Sequence, residues 1–146
     1  MSTSRTAQYV ALFRGLEHLE RGRPRLFDDP FAQAFVPPAY RMLLKAARVP
    51  AIYGLLTRYA DRRAPGARTS AIARTRFIDD VARRCAAAGV GQVVLLGAGF
   101  DTRAHRIPEL SHAIVFEVDF TDRDLLSETM PEDVDVVFSV GASVNF

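Results

Sequence analysis

Residues 92–103, Gln-Val-Val-Leu-Leu-Gly-Ala-Gly-Phe-Asp-Thr-Arg, constrain this chain more than any other stretch. Val93 to Leu96 form a short aliphatic run closed by glycine, the pattern of a strand buried on both faces. Gly97-Ala98-Gly99 follows at once. Glycine reaches backbone angles closed to other residues, and without a side chain it lets a ligand approach the main chain. Asp101 and Thr102 then offer side-chain oxygens where a helix can begin. Strand, glycine turn and helix start together make the nucleotide-binding corner of a doubly wound α/β fold.

A second apolar run, Ala113 to Val118, is broken by Glu117 and ends at Asp119, 22 positions after Gly97 (119 − 97). An acidic residue about 20 positions on, at the end of the second strand, holds ribose hydroxyls in such folds. A lone Gly-x-Gly is most often just a turn. The buried strand before it and the acidic strand end after it turn this one into a candidate nucleotide site. The dinucleotide fingerprint places a third glycine where this chain has Thr102. Asp101 also puts a carboxylate where a pyrophosphate would sit. That charge suits an ammonium better than a phosphate, and so S-adenosylmethionine (SAM) better than NAD.

Gly-Ala-Gly-Phe-Asp-Thr-Arg followed by Phe-Glu-Val-Asp (116–119) resembles the leucine carboxyl methyltransferase-like family of class I SAM-dependent methyltransferases, and within it the bacterial O-methyltransferase branch. Leu-Phe-Asp-Asp-Pro-Phe-Ala (26–32) and Ala-Arg-Thr-Arg-Phe-Ile-Asp-Asp (73–80) resemble that branch's N-terminal motifs. The resemblance covers roughly residues 7–119. It implies SAM as cofactor, and Arg74 as the arginine that takes the cofactor carboxylate through its bidentate fork. Gly97, Ala98, Gly99, Asp101, Glu117 and Asp119 complete the expected cofactor-binding set. The implied partner is a small-molecule or carboxyl methyl acceptor. No catalytic residue is named, and His18, His105 and His112 lack metal-ligand spacing with a cysteine or carboxylate cluster.

The single cysteine, Cys85, excludes an internal disulfide, suits a reducing cytoplasm, and falls where a small buried helix residue is expected. No signal peptide or membrane span is expected. Residues 1–91 carry 16 Lys+Arg against 7 Asp+Glu, and residues 92–146 carry 3 against 10. The basic half does not read as a nucleic-acid surface, because its arginines are scattered without interleaved aromatics. Helices are expected over 5–21, with Val10, Phe13, Leu16 and Leu19 along one side, and over 39–48 and 51–62 around Pro50. Another is expected over 69–88, capped by Ser70 and stopped by Gly89. Asp29 is expected to cap a helix starting at Pro30 that buries Phe31, Ala34 and Phe35. Thr102 to Ile107 reads as a short helix, 113–118 as the second strand, Thr121 to Met130 as a helix and Val134 to Val140 as a third strand.

The expected architecture is therefore α/β, a single domain over 1–146. Its helical N-terminal cap region, 1–91, precedes the first half of a doubly wound, Rossmann-like SAM-methyltransferase sheet, 92–146. Family members are considerably longer, so the chain reads as truncated. Asp119-Phe120-Thr121-Asp122 is open to two readings, the second-strand motif itself or its fusion with a later one. An open sheet edge would allow self-association. Two other readings stay open: an NAD-type oxidoreductase fragment, and a non-enzymatic remnant.

Overall fold

The computed structural model describes residues 5–97, 100–118 and 136–139. They fall into two compact units, 1–77 and 78–146, each taken by itself. The chain is α/β, a helical N-terminal region followed by a small parallel sheet.

The first unit begins with α1 (Arg5–His18), which buries Ala11, Phe13, Gly15 and Leu16. Gly15 lets α2 (Pro38–Ala46) come close: a Cβ there would lie 2.7 Å from Leu44 Cδ1. Leu19, expected on the buried side of a longer helix, lies beyond its end. Glu17 is the reason the chain turns there. It is fully buried, takes the Arg23 fork at 2.8 and 2.5 Å, and accepts the Leu26 amide at 2.7 Å. One carboxylate thus ties the loop back onto α1 with three charge-assisted hydrogen bonds.

The helix expected from Pro30 is instead a single 3-10 turn, Ala32–Ala34. Asp29 Oδ1 does accept the Ala32 amide, at 3.1 Å. Pro37 and Pro38 follow too soon for a longer helix to propagate. A single turn buries a different set, Ala32 and Val36, while Phe31 is 44% exposed. Pro50 opens α3 (Pro50–Arg63) at its first turn, where its missing N–H costs nothing. Next comes α4 (Ala67–Ala87). Ser70 does not cap it, because the Ser70 amide already donates to Gly66 O at 2.8 Å inside the first turn. Gly66, at φ +79°, makes the turn into the helix, and Gly89, at φ +85°, stops it as expected.

In the second unit, β1 (Gln92–Leu96) leads through Gly97 to α5 (Arg103–Arg106). A 3-10 turn, Pro108–His112, precedes β2 (Ile114–Val118), and β3 is Val136–Ser139. The order is β2-β1-β3, all parallel, with Leu95 opposite Glu117 and Phe138. Val93, Val94 and Leu95 are each at most 1% exposed, as a strand covered on both faces requires. Val93 and Leu95 pack with Ala82 of α4, Ile107 and Leu110. The expected helix over Thr121 to Met130, the flanks of the third strand and Asp119 lie outside the described residues.

Because Leu95 fills the centre of this cluster, Leu95→Ala should destabilise the protein by about 2–5 kcal/mol. Leu55→Ala, at a position 66% exposed on α3, should stay within about 0.5 kcal/mol of wild type. Urea unfolding of both variants checks the pair.

Candidate functional site

In an open parallel sheet, ligands bind outside the carboxyl ends of the strands where the strand order reverses. With order β2-β1-β3 that point lies at the end of β1, where Gly97 turns at φ +63°, a left-handed angle that favours glycine. Of the expected cofactor-binding residues, the second unit brings Gly97, Asp101 and Glu117 to this end of the sheet. Ala98, Gly99 and Asp119 lie outside the described residues.

Asp101 is 6% exposed and its carboxylate is already engaged. Oδ1 accepts the Arg103 amide at 2.8 Å, and Oδ2 makes a very short contact with Arg103 Nη1. Arg103 Nε donates to Asp79 Oδ1 of α4 at 2.9 Å. Arg106 adds a fork onto the same carboxylate, at 2.6 and 2.7 Å, and its Nε donates to Thr102 Oγ1 at 3.0 Å. Side chains of Asp79, Asp101, Arg103 and Arg106 are all at most 4% exposed. Two carboxylates and two guanidiniums balance, so the group is neutral as a whole. This corrects the charge argument drawn from Asp101. Its negative charge is matched by Arg103 and does not by itself repel a phosphate or attract an ammonium. What remains against a dinucleotide is Thr102, fully buried and hydrogen-bonded where the third glycine would lie.

Glu117 is exposed on β2, opposite Leu95. Partial desolvation and the nearby Asp101 carboxylate push its pKa up, and His105 opposes the shift. His105 is exposed on α5, and Cys85 is half-buried rather than fully buried. In the first unit, Arg74 is exposed on α4 and has no hydrogen-bond or ion-pair partner among the described residues. Arg76, two positions on, donates to Leu26 O at 2.6 Å. His18 Nδ1 lies 2.6 Å from Asp28 Oδ1. No cluster of metal-ligating side chains occurs among the described residues. None of their helices is long and apolar enough to cross a membrane.

Asp79 and Arg103 lie in the motif blocks at 73–80 and 92–103, but neither they nor Arg106 were expected as site residues. The Asp79-Asp80 doublet has the look of an ordinary solvated helix segment. Only the fold brings Asp79 to arginines 24 and 27 positions away.

A parallel sheet with a glycine turn at its switch point and an acidic second strand has the form of a Rossmann-like α/β protein. The family model described as leucine carboxyl methyltransferase matches residues 7–123, and the chain belongs to that family. A Frankia alni protein provisionally named an S-adenosyl-L-methionine-dependent methyltransferase is 45% identical over 117 residues, 80% of this chain and 38% of its own length. One from Streptomyces coelicolor with the same provisional name is 41% identical over 114 residues, 78% of this chain and 38% of its own. A third, from Mycobacterium tuberculosis, is 34% identical over 129 residues, 81% of this chain and 38% of its own. The chain therefore spans less than two fifths of the length of the curated relatives it matches.

The raised Glu117 pKa gives a pH signature. Such a carboxyl holds its proton more readily folded than unfolded. Its contribution to stability therefore falls as pH rises from the ordinary value of 4.5 through the raised folded value. Glu117→Gln should remove that decline, so the variant gains on wild type across this window. Urea midpoints measured at stepped pH from 4 to 7 show whether it does.

Proposed function

We propose that this chain is the cofactor-binding portion of a SAM-dependent O-methyltransferase that acts on a small-molecule or carboxyl acceptor. The observation that carries the reading is Gly97, in a left-handed turn at the switch point of a parallel sheet, in a chain of this family. Its relatives are named for SAM, and the residues present suit that molecule. Gly97 leaves room for close approach of the main chain. Glu117, crowded by Asp101, is a ready acceptor for ribose hydroxyls. Arg74, matched to the family arginine by motif and free of protein partners among the described residues, is suited to a carboxylate. Asp119, placed 22 positions after Gly97 and matched by motif, is carried over from the sequence as a ribose acceptor, and Ala98 and Gly99 as the remaining members of the glycine motif.

When bound, the cofactor supplies a methyl group on a sulfonium for in-line attack by an acceptor oxygen. The side chains then position and exclude water, and proximity carries much of the rate. No residue is assigned to acid–base work. Self-association through an open strand edge belongs to the same reading.

Calorimetry with SAM, its demethylated product and NAD tests the assignment. SAM and its product should bind, and NAD should bind more weakly. Equal or tighter NAD binding would overturn the methyltransferase reading in favour of a dinucleotide enzyme. Arg74→Ala should weaken SAM by about 1.5–3 kcal/mol, the range for a hydrogen bond to a charged group. Decarboxylated SAM should not distinguish mutant from wild type. An unchanged preference for the carboxylate would return Arg74 to the surface.

A further inference from the structure

We infer that Asp79 of α4 is a positioning residue for the cofactor turn, acting through Arg103 on Asp101; the inference rests on the cofactor reading above. Its carboxylate is 0% exposed and receives three hydrogen bonds, one from Arg103 and two from Arg106. The side chains of both arginines are buried, so Asp79, together with Asp101, supplies the counter-charge that lets them be buried. Each arginine carries the constraint toward the turn by a separate route. Arg103 holds both oxygens of Asp101, one through its main-chain amide and one through its guanidinium. Arg106 holds the hydroxyl of Thr102. The two residues that leave the glycine turn are therefore fixed to a helix that also packs under β1 through Ala82. Asp101 and Thr102 are thus held through Asp79, and Leu96 by the β1 ladder.

The arrangement assigns the carboxylates different tasks. Asp101 shapes the turn and stays on Arg103. Among the described residues the ligand-facing acid is Glu117, which is exposed and accepts no hydrogen bond there. Asp79 itself is buried and touches no ligand, so it acts only by holding others.

The test compares wild type, Asp79→Asn and the double variant Asp79→Asn/Arg106→Gln, with three readouts: global stability, SAM affinity, and amide hydrogen exchange of residues 100–103 without ligand. Asp79→Asn leaves an excess positive charge in the interior and should lower stability. The double variant restores neutrality, with Asp101 and Arg103 still paired, and should recover much of that stability. If Asp79 positions the turn, SAM affinity stays about 10- to 100-fold weaker in both variants, the size of one lost charged hydrogen bond. Protection at residues 100–103 should fall in both, while the β1 amides keep theirs in the double variant. Affinity and turn protection that return together with stability would overturn the inference and leave Asp79 as a folding residue only. A folded Asp79→Asn protein that binds SAM as tightly as wild type, with the turn equally protected, would overturn it too. If wild type itself fails to bind SAM, the cofactor reading fails, and the exchange comparison still decides whether Asp79 holds the turn.

Discussion

Two carboxylates and two guanidiniums buried against one another are the constraint on which the second unit depends. Taking four charges out of water carries several kcal/mol of desolvation penalty per ion, repaid only when geometry and hydrogen bonding are close to complete. Here Asp79 accepts three hydrogen bonds and Asp101 two. Hydrophobic residues of similar volume would often give equal or greater stability. What they could not do is hold a polar turn in one orientation. The group makes sense as a device for fixing position, and it lies immediately after the glycine turn at the sheet's switch point.

The first unit uses the same physics on a smaller scale. Glu17, inside α1, gathers the Arg23 fork and the Leu26 amide, and so folds residues 19–26 back on the helix. Arg76 then donates to Leu26 O from a distance of 50 residues in sequence. The motif blocks at 26–32 and 73–80 are thereby joined by a hydrogen bond between them. In both units a buried carboxylate at a helical position organises an adjoining loop. In both, arginine supplies the partner, since its planar fork makes two parallel bonds at once.

These two features explain what could be read from sequence and what could not. β1 was legible because a strand buried on both faces needs only a run of apolar residues ended by glycine, and Val93 to Gly97 provides it. The long helix and its stop at Gly89 were legible for similar local reasons. The segment after Asp29 misled because cap and proline are correct for a helix start, whereas Pro37-Pro38 leaves room for only one turn. Ser70 misled because Gly66 starts the helix a turn earlier. Glu17 and Asp79 were invisible as key residues. Each is an acidic residue in a helix, a position usually solvated, and its burial depends on arginines that only the folded chain brings near. The error about Asp101 had the same root, since its charge was weighed without Arg103. Membership of the leucine carboxyl methyltransferase family was legible because its motif blocks occur in order along the chain.

The account holds that the end of β1 is a cofactor site whose turn is fixed by Asp79 and whose ligand-facing acid, among the described residues, is Glu117. A crystal structure of the chain with S-adenosylhomocysteine bound tests this most directly. The account predicts the adenosyl group outside the carboxyl ends of β1 and β2, close to Gly97, with ribose hydroxyls toward the end of β2. Asp101 should still rest on Arg103. A ligand bound away from the sheet's switch point, or an Asp101 carboxylate swung off Arg103 onto the ligand's ammonium, would contradict it.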